Sequence, residues 1–133
     1  MKRYKILEEL SKVKGVYVPS INNRVERQWI PELTDDFFPN TPLVPLTEVI
    51  QDRLVVEIAR GCTRGCRFCQ PGYCFRPYRE RTAEQIVNLM KIGLKNTGYE
   101  EVSFLSLSAS DHSQIHTLCK MLQKLDLKVS FAF

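Results

Sequence analysis

The second half of the chain alternates short apolar runs with segments of helical periodicity, and this order constrains the fold more than any other feature. The run at positions 54–59 is short and rich in β-branched residues, as a buried parallel strand is. Residues 101–107 and 128–133 have the same character, and apolar side chains recur at helical spacing at 86–94 and 115–125. The order β-α-β-α-β predicts an α/β fold of parallel strands with right-handed crossovers.

Both predicted helices carry signals for their ends. Thr82 followed by Gln85 is a capping-box signature, and Gly98 marks the end of the first helix. Asp111 followed by Gln114 has the same spacing and predicts the start of the second helix. In sheets of this kind ligands bind at the carboxyl ends of the strands, which is where residues 60–69 and 108–111 fall.

The first fifty residues have a different character. Apolar residues at positions 6, 7, 10 and 13 predict one helix over 4–14 that ends at Gly15. Prolines at positions 19, 31, 39, 42 and 45 interrupt any long helix, so we expect an extended linker with a strand near residues 24–30. The chain thus divides into an N-terminal helix and linker, residues 1–50, and a regular α/β part, residues 51–133.

Three cysteines lie close together directly after the first predicted strand. Cys62, Cys66 and Cys69 have the spacing C-x3-C-x2-C, and thiolates are the soft ligands that iron-sulfur clusters take. A four-iron cluster normally has four thiolate ligands, so three leave one iron open to bind a small molecule and pass an electron to it. A zinc site with Cys74 as the fourth ligand is the alternative. Cys119, on the second helix, is expected to be a small buried hydrophobe.

With Phe68 directly before the third cysteine, this run resembles the motif of the radical S-adenosylmethionine (SAM) superfamily. The stretches RLVVEIARGCTRGCRFCQPGY and TGYEEVSFLSLSASDHS are similar to one branch of it, in which a cobalamin-binding domain precedes a (β/α) barrel. The resemblance implies that Cys62, Cys66 and Cys69 hold a [4Fe-4S] cluster and that Phe68 lies beside the adenine of SAM. It also implies that SAM occupies the open iron, and that an electron donor such as flavodoxin or ferredoxin drives its cleavage to a 5′-deoxyadenosyl radical.

The end of the second predicted strand departs from the family pattern. Radical SAM enzymes commonly carry a Gly-Gly-Glu type segment there that receives the SAM amino group, whereas this chain has SLSASD at positions 106–111. Ser108 or Asp111 could accept the ammonium, although Asp111 is equally explained as a helix N-cap. His112 and His116, four apart, are expected on a solvated helix face. The chain lacks the Asp-x-His-x-x-Gly loop that binds cobalamin, so we expect cobalamin only through a domain absent from this chain.

Length limits what the chain can contain. A complete (β/α) barrel needs about 200 residues or more, so 133 residues predict a partial barrel of the β-α-β-α-β order. Ending within the apolar strand 129–133 leaves an open sheet edge. We therefore expect a truncated domain or one part of a split protein, completed by the remainder of the barrel or by a partner chain. The substrate stays open, because the strands that would line the rest of its pocket are missing.

Charge and composition narrow the partners. The segment 60–81 holds six arginines and one glutamate, so it is strongly basic within a chain of net charge +4. Its guanidinium groups can pair with ligand carboxylates or phosphates or bond backbone carbonyls. An RNA-binding module and a non-catalytic iron-sulfur or zinc module are therefore alternative functions. No apolar run approaches the roughly 20 residues that span a bilayer, and five cysteines, an odd number, favour a reducing compartment. We expect a cytoplasmic protein without a membrane partner.

Overall fold

The structure is a computed structural model that describes residues 3–47, 49–125 and 127–132. The chain forms two compact units, Met1–Pro31 and Glu32–Phe133. In the first unit, helix α1 (Arg3–Ser11) ends three residues before the predicted boundary, and Gly15 turns the chain with a φ of +87°. Residues 24–30 form no strand, so that prediction is wrong. A strand requires a ladder of backbone hydrogen bonds with a neighbouring strand, and in the described part of the chain no such ladder includes these residues.

The second unit contains the parallel sheet. In chain order its elements are β1 (Leu54–Glu57), β2 (Ala59–Arg60), α2 (Gln70–Cys74), β3 (Arg79–Glu80), α3 (Ala83–Thr97), β4 (Glu101–Leu105), α4 (Ile115–Leu122) and β5 (Lys128–Ala132). Strands β1, β4 and β5 pair in parallel in the order β1-β4-β5, with Val56 beside Phe104 and Phe104 beside Phe131. The predicted α/β class with parallel strands is confirmed.

The core lies between one face of this sheet and the helices α3 and α4. Leu54 and Val56 of β1 are buried, as is Phe104 of β4, because alternate residues of a strand point to the same face. Burying a side chain of this size contributes about 1.5–3 kcal/mol. The opposite face is partly open: Val55 and Leu105 on it are 40% and 47% exposed, whereas Ser103 beside Val55 is buried. The site described below lies at the carboxyl edge of this sheet.

Helix α3 begins and ends where the sequence predicts. The Thr82 hydroxyl accepts the Gln85 N–H at 3.2 Å, while the Gln85 side chain accepts the Thr82 N–H at 2.9 Å. Gly98 ends the helix with a φ of +76°. A further contact is not visible in the sequence: Gln114 Oε1 accepts the Ala83 N–H at 2.7 Å. The first turn of α3 is thereby bonded to the connection that follows β4.

Residues 32–38, at the start of the second unit, pack onto the α/β core. Leu33 and Phe38 are buried, on either side of a short 3₁₀ turn at Asp35–Phe37. Arg81 is hydrogen-bonded to this segment, because its Nη1 donates to the carbonyl oxygens of Leu33 at 3.0 Å and Thr34 at 2.9 Å. Its Nε donates to the Glu57 carbonyl at 3.1 Å. One buried guanidinium thus connects the linker to the end of β1.

A two-stranded antiparallel ribbon lies at the base of the cysteine loop, which we define as residues 61–78. Ala59 pairs with Glu80 and Arg60 with Arg79 in β2 and β3. The predicted first strand over 54–59 is therefore two strands, since the chain leaves the parallel sheet after Glu57.

Among the described residues, no helix has the length and apolar character needed to cross a membrane.

Candidate cofactor site

The cysteine loop closes tightly at its first residue. Gly61 has a φ of +91°, a conformation that favours glycine. A Cβ added there would lie 2.7 Å from the Phe75 carbonyl oxygen and 2.9 Å from that of Pro77. Both oxygens belong to the backbone, so they cannot turn aside as a side chain would. The beginning and end of the loop are therefore in contact directly before Cys62.

The three motif cysteines are free thiols on this one loop. Cys62 is buried, Cys69 is half-buried and Cys66 is exposed. Cys62 Sγ accepts the Arg64 N–H at 3.4 Å, and the Cys69 N–H donates to the Cys66 carbonyl at 3.0 Å. Cys69 also occupies the N-cap position of the short helix α2, without a capping bond from its side chain. The loop backbone thus holds the first and third cysteines in defined positions.

No three His, Cys, Asp or Glu side chains in the described part of the chain converge closely enough to hold one metal ion. A single zinc ion needs thiolate sulfurs about 2.3 Å from one point. A four-iron cluster instead takes its thiolates on different irons, so its ligands stand farther apart. Three soft, unpaired sulfur donors on one loop fit such a cluster by their chemistry. The predicted ligand set, Cys62, Cys66 and Cys69, remains a prediction.

Phe68 lies at the outside of the cysteine loop. Its side chain is 92% exposed, so it does not pack into the domain as an ordinary core residue would. An exposed phenyl ring on the loop that carries the three thiols presents an apolar surface to a ligand. Two other cysteines lie apart from the motif: Cys74 ends α2 and is exposed, and Cys119 on α4 is half-buried.

An ion pair connects the cysteine loop to the end of β4. Arg64 Nε donates to Asp111 Oδ2 at 2.5 Å and its Nη2 donates to Oδ1, so the pair has two parallel bonds. Ser108 Oγ donates to Asp111 Oδ2 at 2.6 Å. The bonds from Arg64 and Ser108 hold the pKa of the Asp111 carboxyl below its ordinary value. The structure therefore brings together the predicted residues Ser108 and Asp111.

The predicted role of Asp111 as a helix cap is wrong. Asp111 ends a 3₁₀ turn at Ala109–Asp111, and α4 begins only at Ile115 without a side-chain cap. The reason is that its carboxylate oxygens are already bonded by two side chains, as described above. The Gln114 side chain, the other half of the predicted capping box, bonds α3 instead.

The prediction for His112 is also wrong. His112 lies before α4 and is 2% exposed, whereas His116 on the helix is exposed. The His112 ring Nδ1 accepts the Gln114 N–H at 3.1 Å, which assigns the proton to Nε2. Nε2 then donates to the Arg81 carbonyl at 2.9 Å. His112 therefore fixes the turn that carries Asp111 against the strand that returns from the cysteine loop.

A second carboxylate, that of Glu80, also joins the end of the cysteine loop to the turn before α4. Glu80 of β3 accepts the Ser113 N–H at 2.8 Å and the Tyr78 hydroxyl at 2.6 Å, and it also accepts the Ser113 hydroxyl. Burial opposes the charged form of Glu80, but these hydrogen bonds outweigh it and lower the pKa of the carboxyl. Burial, helped by the neighbouring carboxylate, raises the pKa of Tyr78. Sequence reasoning missed this network because its members have neither a motif nor a periodic spacing.

Most arginines in and next to the cysteine loop form hydrogen bonds or ion pairs with other residues of the chain. Arg60 forms a two-bond ion pair with Glu57 at 2.6–2.7 Å. Arg79 and Arg81 are buried and donate to backbone carbonyl oxygens. The exposed Arg67 makes no side-chain hydrogen bond or ion pair with the other described residues. Bonding within the chain is therefore the main role of these guanidinium groups in the structure.

A mainly apolar cavity of about 220 Å³ lies at the carboxyl ends of β1 and β4. Its walls include Gly61 and Phe75 of the cysteine loop, and Leu105 and Ser106 at the end of β4. Gly61, which lines the cavity, directly precedes Cys62 in the chain. The loop, the cavity and the Ser108–Asp111 turn thus occupy one edge of the sheet, where parallel α/β folds bind ligands.

Comparison with known proteins shows the family of the chain. The sequence profile of the radical SAM superfamily matches residues 56–132, more than half of the chain. An uncharacterized protein of Methanocaldococcus jannaschii is 28% identical over 127 residues, which cover 95% of this chain and 29% of that protein. The chain thus spans less than a third of the length of that relative. No solved structure matches the chain. By the profile match, which covers the cysteine loop and all but the first two residues of the parallel sheet, the chain belongs to the radical SAM superfamily.

Proposed function

We propose that this chain is the radical-generating part of a radical SAM enzyme, with Cys62, Cys66 and Cys69 as the ligands of a [4Fe-4S] cluster. The observation that carries the proposal is the presence of three free thiols on one loop, at the ligand-binding edge of a parallel sheet. The family match over residues 56–132 supports it. We further propose that these residues form the first part of a (β/α) barrel, whose remaining strands belong to a longer chain or to a partner.

The residues around the loop have separate roles in this proposal. When bound, the cluster supplies one electron to SAM, which breaks the C5′–S bond and yields methionine and a 5′-deoxyadenosyl radical. Phe68 offers its exposed ring to the adenine, as its position in the motif suggests. Ser108 and Asp111 offer oxygens to the amino group of SAM, since they occupy the place of the Gly-Gly-Glu type segment. The apolar cavity lined by Gly61 and Phe75 offers apolar surface to a ligand at the base of the loop.

The partners follow from the same chemistry. The cluster needs an electron from outside the chain, so we propose a flavodoxin or a ferredoxin as the donor. The substrate is not specified by these residues, because the open sheet face with Val55 and Leu105 forms only part of a pocket wall. Cobalamin is not proposed as a ligand of this chain, because the sequence has no Asp-x-His-x-x-Gly loop.

Anaerobic reconstitution with iron and sulfide tests the proposal. We expect a brown protein with about four irons per chain, whose electron paramagnetic resonance signal after reduction changes when SAM is added. Cys62→Ala, Cys66→Ala and Cys69→Ala should each lose most of the iron. Cys74→Ala is the matched control, because Cys74 lies on the same loop outside the motif, and it should keep the iron. A colourless protein that holds one zinc and loses it in Cys74→Ala would instead show the closed zinc site.

A further inference from the structure

The first motif cysteine accepts a hydrogen bond from the backbone of its own loop. Cys62 is buried, and its Sγ accepts the Arg64 N–H at 3.4 Å. A thiolate bound to iron keeps lone pairs that accept such a bond. Hydrogen bonds to the sulfur ligands raise the reduction potential of an iron-sulfur cluster, because they stabilise the negative charge that reduction adds. The position of the Arg64 N–H therefore matters for a cluster on this loop.

The side chain of Arg64 is anchored outside the loop. Its Nε and Nη2 donate to the two carboxylate oxygens of Asp111, in parallel bonds. The turn that carries Asp111 is itself held, because Ser108 Oγ donates to Asp111 Oδ2 at 2.6 Å and the buried His112 bonds the Arg81 carbonyl at 2.9 Å. The Asp111 side chain is 21% exposed, and that of Arg64 is 61% exposed. Asp111 is thus the fixed partner and Arg64 the restrained one.

The backbone around Arg64 depends on this restraint. Thr63 before it is exposed, and Gly65 after it has a φ of +67°, a conformation that favours glycine. The Tyr73 hydroxyl donates to the Gly65 carbonyl at 2.9 Å, but this carbonyl belongs to the peptide group after Gly65, not to the one that carries the Arg64 N–H. The ion pair with Asp111 is the contact that joins Arg64 to a part of the fold outside the loop.

We infer that Asp111 is a positioning residue: through its ion pair it holds the Arg64 N–H on Cys62 Sγ and so raises the reduction potential of the cluster. This inference rests on the proposed function. A higher potential makes the cluster easier to reduce by the proposed donor. A carboxylate has about four lone-pair sites. Arg64 and Ser108 take three of them, so one site on Oδ1 is left for the proposed contact with the amino group of SAM.

The sign of a potential shift tests the inference. The potential is measured on the reconstituted full chain without SAM, by redox titration followed by electron paramagnetic resonance. Asp111→Asn removes a negative charge, which by charge alone raises the potential, whereas loss of the hydrogen bond to Cys62 lowers it. We expect a lower potential. At a fixed applied potential, the ratio of reduced to oxidised cluster should fall about two- to tenfold, the range for one lost hydrogen bond.

A variant that conserves charge gives a second measurement of the potential. Arg64→Lys keeps the cation but loses the two-bond geometry, so it should also lower the potential, although charge alone predicts no change. Adding Asp111→Asn to Arg64→Lys should give no further fall, because both changes break the same contact. Iron content verifies that each variant holds its cluster. Arg64→Lys decides the question if Asp111→Asn does not retain iron.

Amide hydrogen exchange tests the same contact in the chain without iron. The Arg64 amide should exchange faster in Asp111→Asn than in the wild type. The Cys69 amide, which donates to the Cys66 carbonyl at 3.0 Å, is the internal reference and should not change. Arg67→Gln is the matched control, because it removes one charge from the same loop and should leave the exchange of the Arg64 amide unchanged.

The possible results separate the inference from the proposed function. An unchanged or higher potential in Asp111→Asn with full iron content would overturn the inference, and so would unchanged exchange of the Arg64 amide. The proposed function would survive either result, because the wild type still holds its cluster and responds to SAM. A wild type that holds no four-iron cluster after reconstitution would overturn the proposed function, and the inference with it.

Discussion

Gly61 gives a direct test of how tightly the cysteine loop closes. In this structure Gly61 and Gly98 both have positive φ, +91° and +76°. They differ in their surroundings: a Cβ at Gly61 would lie 2.7 Å and 2.9 Å from two backbone oxygens, whereas Gly98 has nothing within 4 Å. Alanine at the two positions therefore separates backbone conformation from steric overlap.

The expected magnitudes follow from these two contributions. Gly98→Ala carries only the penalty of the left-handed region, about 1–2 kcal/mol of the free energy of unfolding. Gly61→Ala adds the overlap with backbone that cannot rotate away, and forced packing of this kind costs about 1–3 kcal/mol more. We expect a total loss of about 2–5 kcal/mol for Gly61→Ala. Because the loop begins there, we also expect this variant to retain less iron after reconstitution.

Urea denaturation followed by circular dichroism measures the free energy of unfolding of both variants under identical conditions. Iron content after anaerobic reconstitution provides the second measurement. Equal losses of stability in the two variants would refute the reasoning, because they would mean that the loop yields to an added methyl group. Full iron retention by a strongly destabilised Gly61→Ala would separate the fold of the loop base from the cluster site.

Three further predictions concern contacts around the loop. Arg81→Met takes the donor from three backbone carbonyl oxygens at a buried site, and urea denaturation should show a loss of about 3 kcal/mol or more. Gln114→Ala removes the acceptor of the Ala83 N–H and should lower the free energy of unfolding by about 1 kcal/mol in the same assay. A much smaller loss would contradict the role of Gln114 as a cap of α3. The pKa of Glu80 is lowered from its ordinary value of 4.5. Its contribution to the free energy of unfolding is therefore complete above pH 4.5 and is lost as the pH falls through the lowered pKa. Stability measured against pH should therefore fall less steeply in Glu80→Gln than in the wild type, and identical acid limbs would exclude this role.

Elements with local signals could be predicted from the sequence. The ends of α3 are specified by the Thr82–Gln85 pair and by Gly98, all within a few residues of the boundary. The parallel order of the sheet follows from the alternation of strands and helices. The three cysteines lie on one loop, as their close spacing in the sequence requires, and their role as cluster ligands stays a prediction.

Elements set by distant contacts could not be predicted. Asp111 has the spacing of a cap, but its partner Arg64 lies 47 residues earlier in the chain. His112 is buried because it bonds the Arg81 carbonyl, 31 residues away. Strands β2 and β3 have two residues each, too few to show a period. In each case a tertiary partner overrides or replaces the local preference.

The β2–β3 ribbon has a consequence for how the site can vary. Because Ala59 pairs with Glu80 and Arg60 with Arg79, the cysteine loop is closed at its base by backbone bonds. The conformational entropy of the loop ends is therefore lost when the chain folds, and this loss does not weaken the binding of a ligand by the loop. Each doubling of the length of a flexible loop adds only about 0.6 kcal/mol to that entropy term. A longer segment between Cys69 and the ribbon would therefore change the exposed surface of the loop and leave the parallel sheet in place.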